Sequence, residues 1–310
     1  MDDLPANFLD DVFFICYSTA VRIASDLTGT FGGAALLFCQ HLHCVSYETS
    51  NVNRISKHRY SISDGLASTE TVLPRYVGCH WLVLRQGCAQ NKDVSVPRDA
   101  FARKNARSIL GAYLYTADLG SQWTGFLLGC RRLTNMHVHT EFEGSLREVF
   151  SKMVYRKQLT TLCIHESVFI DGRVIGLVIN QLSQKQFRSL TTGSRHLLLA
   201  ILELWKANPN MFNGKHVDYE NLNGVRGLTD EFTTGLHFHE ETNGRGQLFR
   251  SRSECFMDTP SHIYKLAFSD IETAPYAAYV IFDCKGKEEN VGETEFFLQS
   301  SKIHFCFGEV

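Results

Sequence analysis

Four segments of the chain share the spacing apolar-x-x-apolar-x-apolar. They are Ile109-x-x-Ala112-x-Leu114, Leu133-x-x-Met136-x-Val138, Leu159-x-x-Leu162-x-Ile164 and, more loosely, Phe187-x-x-Leu190-x-Thr192. Val217 and Tyr219 fall in the same phase after Gly214. Units that start at 109, 133, 159, 187 and 214 are 24, 26, 28 and 27 residues apart. A pattern that returns at so narrow an interval constrains the fold, because each unit is one strand-bearing module that buries its apolar face against its neighbours.

The residues between these segments change period. Leu146, Val149, Phe150, Met153 and Val154 recur as one face of a helix, as do Val174, Ile175, Val178 and Leu182. Leu198, Ile201, Leu202 and Trp205 form a third such face, which Asn208-Pro209 should stop. Strand followed by helix, repeated at this interval, gives the expectation of an α/β solenoid of leucine-rich-repeat-like units over residues 47–220.

The flanks read differently. Pro5 suits the first turn of a helix, and Phe8, Leu9, Val12, Phe13, Cys16, Ala20 and Ile23 continue it, so 1–46 is expected to be a short helical segment. Gly29, Gly32 and Gly33 are expected to interrupt that pattern, with Ala34 to Val45 as another short helix. Beyond residue 220, short runs such as Leu236–His239, Ile263–Phe268, Tyr279–Phe282 and Ile303–Phe307 are rich in aromatic and β-branched residues. Turn residues including Asn243-Gly244 and Lys285-Gly286-Lys287 lie between them. Residues 221–310 are therefore expected to be a β-rich cap or small domain.

Composition narrows the function classes. Hydrophobic residues make 44% of the chain and charged ones 21%, which is the profile of a folded protein. Thirty-one Lys and Arg against thirty-three Asp and Glu leave a net charge of −2, with no long-range attraction for nucleic acid or anionic lipid. No apolar run approaches the ~18 residues of a membrane span, and no Asn-x-Ser/Thr acceptor occurs. Ten cysteines in 310 residues are too few for a disulfide scaffold, and none are spaced Cys-x-x-Cys. The opening Met1-Asp2-Asp3-Leu4-Pro5 is acidic where a signal peptide needs positive charge. The expectation is an intracellular protein, cytoplasmic or nuclear, with free thiols.

Candidate chemistry is sparse. Cys39-Gln-His41-Leu-His43-Cys44 is the densest run of soft ligands, and on a helix Cys39 and His43 would share a face. A closed zinc site needs four ligands, which one helix cannot aim together. His237-Phe-His239 would place two imidazoles on one strand face, but no His-Glu-x-x-His supports it. Gly-x-Ser-x-Gly, the phosphate-binding Gly-x-x-x-x-Gly-Lys-Ser/Thr and Gly-x-Gly-x-x-Gly are all absent. The reading is therefore no catalytic residues, no metal and no cofactor. In repeat phase, His139 and His165 occupy equivalent positions and should lie near one another on the exposed sheet face. Asn135, His137, Thr161 and Cys163 would complete a partner-binding strip there.

Taken together, the opening Met1–Pro5 with Phe8, Leu9 and Val12, the segment Phe187-Arg188-Ser189-Leu190, and the run Ile201–Pro209 followed by Gly214-Lys215 resemble a nematode family of F-box-like proteins. Members of that family carry degenerate leucine-rich-type repeats. The resemblance implies docking on the Skp-type adaptor of a cullin–RING (SCF-type) ubiquitin ligase, with Leu4, Pro5, Phe8, Leu9 and Val12 facing the adaptor. The domain that follows would capture a protein substrate. No Trp occurs between Phe38 and Val45, where an F-box usually ends in a tryptophan-bearing helix. The alternatives are a repeat-type interaction protein without a ligase and, ranked last, a metal-dependent hydrolase.

Overall fold

The structure is a computed structural model that describes residues 29–41, 43–51, 54–61, 77–90, 109–220, 237–240, 263–267, 276–284 and 300–309. The chain forms two compact units, the first from residues 1–137 with 143–153 and the second from 138–142 with 154–310. The adaptor-facing candidates Leu4, Pro5, Phe8, Leu9 and Val12 lie outside the described residues, as do the expected turns at Asn243-Gly244 and Lys285–Lys287.

In the first unit, helix α1 (Gly29–His41) leads into β1 (His43–Asn51), β2 (Arg54–Ser61), β3 (Val77–Leu84) and β4 (Ile109–Leu114). Helix α2 (Gly120–Gly129), β5 (Leu133–Val138) and the greater part of helix α3 (Gly144–Tyr155) follow. The strand order is β2-β1-β3-β4-β5, with β1, β3 and β4 parallel and β2 antiparallel at the margin. Registered rows explain the burial. Tyr47, Leu82 and Ala112 form one buried row, and Thr49, Leu84 and Leu114 the next. Trp123, Phe126 and Leu127 of α2 are buried, and the Trp123 indole N–H donates to the Cys88 carbonyl at 3.1 Å. Ser145 ties the start of α3 to the α2 entry, accepting from the Leu119 amide at 2.9 Å and donating to the Ala117 carbonyl at 3.0 Å.

The structure corrects the reading of residues 29–45. Gly32 and Gly33 lie inside α1 instead of breaking it, and the chain becomes a strand at His43. A helical glycine costs about 1 kcal/mol against alanine but does not forbid the turn, and Ala34, Ala35, Leu36 and Leu37 carry it. Val45, Tyr47 and Thr49 are buried at every second position, which is strand period. Cys39 and His43 therefore do not share a helix.

The second unit holds β6 (Thr161–Ile164), α4 (Gly172–Leu182), β7 (Ser189–Thr192), α5 (Arg195–Ala207) and β8 (His216–Glu220). It continues with β9 (His237–Glu240), β10 (Ile263–Ala267), β11 (Tyr276–Cys284) and β12 (Ser300–Glu309). The order is β6-β7-β8-β12-β11-β10-β9. β6, β7 and β8 are parallel, and the remaining neighbours are antiparallel. The fold is therefore α/β, with parallel strands at the heart of each unit. The helices α4 and α5 begin where an extended Asp171 and Ser194 cap them: Asp171 accepts from the Val174 amide at 2.8 Å and Ser194 from the Leu197 amide at 3.3 Å.

The parallel strands of the second unit are only four to five residues long and start two residues later than the apolar spacing marks. Leu159 and Phe187 stand just before β6 and β7, and both are fully buried. Leu159 and Leu162 are three apart and both buried, as are Leu133 and Met136 within β5; at β6 the chain bends at Thr160 before the strand begins. Polar side chains hold these entry turns. Gln181 donates to the Leu159 carbonyl at 2.9 Å and Gln184 to that of Val154 at 2.8 Å. The Lys215 ammonium donates to the carbonyls of Gln184 (2.9 Å) and Phe187 (3.0 Å). Burial and the Arg188 charge hold the Lys215 amine below its ordinary range.

Each of β6, β7 and β8 alternates buried and half-exposed residues. Strands buried on both faces read as unbroken apolar runs, so helices here cover one face only. The sequential order β6-β7-β8 agrees, because successive right-handed crossovers in one direction place α4 and α5 on the same side.

Candidate functional site

The other face of the second unit carries polar side chains in register. Thr161, Ser189, His216 and Cys306 form one row across β6, β7, β8 and β12, and Cys163, Thr191, Asp218 and His304 form the next. Two pairs within these rows are in hydrogen-bond contact. His304 Nδ1 meets Asp218 Oδ1 at 2.8 Å, and His216 Nδ1 meets Cys306 Sγ at 3.2 Å. His304 is 7% exposed, whereas His216 is open to solvent and Cys306 half-exposed. Their backbones are pinned: the Gly214 amide donates to the Phe307 carbonyl and the Phe307 amide to that of Lys215, both at 3.0 Å. The Phe307 ring then packs on Trp205 and Phe212, with centroids 5.3 and 5.0 Å away.

At the end of β6, His165 and His139 bring their rings to 5.1 Å, the proximity that repeat phase requires of them. The His165 amide donates to the Val138 carbonyl at 2.9 Å, which fixes the backbone beside His139. His165 Nδ1 lies 2.9 Å from Ser167 Oγ and accepts from the Ser167 amide at 3.3 Å, so Nδ1 faces Ser167. Thr161 and Cys163 share the half-exposed face of β6.

His137 and Asn135 belong to the first unit. The His137 ring stands 4.4 Å from Tyr113 and 5.2 Å from Trp81, and Trp81 and Tyr113 are 4.8 Å apart. Trp81 lies in the space above Gly111, its register partner on β4. Asn135 is half-exposed on β5. Next to Trp81 on the same strand, Cys79 is paired in register with Cys44 of β1. The Cys44 thiol donates to Cys79 and is held well above the ordinary thiol range, while the same bond pulls Cys79 below it. Glu48 and Arg85 form an ion pair that raises the guanidinium, and Arg85 also lies over the Tyr115 ring at 4.8 Å.

Among the described residues, no group of three or more His, Cys, Asp and Glu side chains is arranged to hold a metal ion, and no helix is long and apolar enough to cross a membrane. His237 and His239 fall on β9.

No family model matches the chain, and no curated protein or solved structure does either.

The pairs His216–Cys306 and Asp218–His304 were beyond sequence reasoning. Alternation along β8 and β12 shows which residues share a face, but the partners are 90 and 86 residues apart in the chain. Nothing local says that β12 docks beside β8. The Trp81–Gly111 contact was hidden for the same reason, although a glycine within an apolar strand is a signal of close approach.

Proposed function

We propose that the chain is a protein–protein interaction module, and not an enzyme, built from leucine-rich-repeat-like strand–helix units that leave one strand face free for a macromolecular partner. The observation that carries this reading is the one-sided burial of β6, β7 and β8, with helices on one face and a half-exposed row of Thr, Ser, Cys, His and Asp on the other. A solenoid uses such a face as its binding surface. The partner strip on this reading includes Thr161, Cys163, His165 and His139 of the second unit; Asn135 and His137, also expected to bind a partner, lie in the first. The antiparallel run from β12 to β9 closes the repeats as a β-rich cap.

The resemblance to F-box-like proteins extends the proposal to the substrate-recognition subunit of a cullin–RING ubiquitin ligase, with the Skp-type adaptor bound through Leu4, Pro5, Phe8, Leu9 and Val12. Its setting would be cytoplasmic or nuclear, in keeping with six described cysteines that are all free thiols. Co-purification of the full chain with the adaptor tests this: binding by the wild type, lost in Leu9→Asp and Val12→Asp, is the expected result. Failure of the wild type to bind removes the ligase and leaves an interaction protein without one. Loss of partner capture in His165→Asp and Thr161→Arg, with folding intact, tests the strip itself.

A further inference from the structure

We propose that Cys306 is an imidazole-activated nucleophilic thiol, a site at which the chain is covalently modified by soft electrophiles. This goes beyond the interaction reading and does not depend on it. The thiol is one of four titratable side chains in two registered pairs, His216 with Cys306 and Asp218 with His304. Its sulfur is 3.2 Å from His216 Nδ1, the reach of a nucleophile and its base. Asp218, the next side chain on the same face of β8, is bound to His304 at 2.8 Å, so its negative charge has its own partner.

The pair is both built and reachable. Backbone bonds of Gly214 and Phe307 fix the two strands, and the Phe307 ring is locked against Trp205 and Phe212. The sulfur is half-exposed and the imidazole is at the surface. Three of the described cysteines, Cys88, Cys130 and Cys44, are placed otherwise. Burial drives the Cys88 thiol up to about 11 and also raises Cys130, while Cys44 is raised as the donor to Cys79. An imidazole within hydrogen-bond distance of a thiol favours the thiolate, which is the reacting form.

The step balances without a further reagent. The Cys306 proton passes to His216 Nδ1 and Sγ forms a bond to the electrophilic carbon. The bond to the leaving group breaks with its electron pair, and the proton then leaves for solvent. With iodoacetamide the product is the carbamidomethyl thioether and iodide.

The test measures iodoacetamide labelling of each cysteine in the full-length protein by mass spectrometry, native and in urea. Native Cys306 should react at least about three-fold faster than in the unfolded chain, despite being half-covered, because the imidazole 3.2 Å away can take its proton as the sulfur attacks. Cys88 should be slower when native. His216→Ala makes the sulfur easier to reach, so mere access requires an unchanged or higher rate, whereas activation requires a fall of at least about three-fold. An unchanged native-to-unfolded ratio at Cys163, on β6 of the same unit, shows that the variant is folded there; if that ratio has changed, the native-to-unfolded ratio of the wild-type Cys306 decides. Native Cys306 reacting no faster than unfolded, or a folded His216→Ala reacting as fast as wild type, overturns the proposal.

Discussion

The ring of Trp81 fills the space where a side chain on Gly111 would stand: a Cβ there would overlap the indole Cζ3. Gly111→Ala should therefore cost about 1–3 kcal/mol through overpacking. Trp81→Ala in the same chain should remove most of that increment, since the clash needs both groups. Urea denaturation of the four proteins of the double-mutant cycle measures it, and additive effects would contradict the contact.

Gln181 is fully buried and donates to the Leu159 carbonyl at the entry to β6. Gln181→Leu keeps the size of the side chain but strands that carbonyl, so a loss of about 1–3 kcal/mol is expected. Gln122→Leu, at an exposed position of α2, should stay within about 0.5 kcal/mol in the same denaturation experiment.

Lys215 is 4% exposed, and burial together with Arg188 lowers its amine below the ordinary 10.5. At pH values under its folded pKa both states hold the proton, and the cost of a buried cation is fully present. As pH rises through the folded pKa towards 10.5 the folded state releases its proton first, so the unfolded state binds more protons and stability rises. The difference in unfolding free energy between wild type and Lys215→Met, followed up to about pH 10, should grow in favour of the wild type over that window. A flat difference would refute the assignment.

Cys44 donates its thiol hydrogen to Cys79, which suppresses its own ionisation. Cys79→Ser replaces an acceptor that ionises with one that does not, so Cys44 should alkylate faster in the variant than in wild type. Cys79 itself should react before Cys44 in the wild type. Time-resolved labelling orders the two.

How far the fold was legible depended on where its forces act. The helix faces of α3, α4 and α5 were readable because Val149, Val178 and Ile201 are buried with their neighbours three and four residues away, and such burial leaves a periodic trace. The strands β4 and β5 begin at the expected residues, Ile109 and Leu133. The onset of β6 and β7 was misjudged by two residues, because Leu159 and Phe187 reach the core from a turn and look in sequence like strand positions. Residues 29–45 depart from the glycine signal because the neighbouring alanines and leucines outweigh Gly32 and Gly33 within α1. The nearness of His139 and His165 was legible from repeat phase, since both follow adjacent local units. The His216–Cys306 pair was not, because it joins parts of the chain with no shared period.

That separation has a bearing on how the protein matures. β6, β7 and β8 are each linked by one short helical crossover, so they can assemble from nearby chain soon after synthesis. The bond between His216 and Cys306 instead closes a loop of 90 residues. Until β12 docks beside β8, Cys306 is an ordinary thiol and Trp205 and Phe212 lack the aromatic ring that covers them. The same docking event therefore seals a greasy surface and arms the sulfur, so that chemical reactivity at this position doubles as a timestamp of folding.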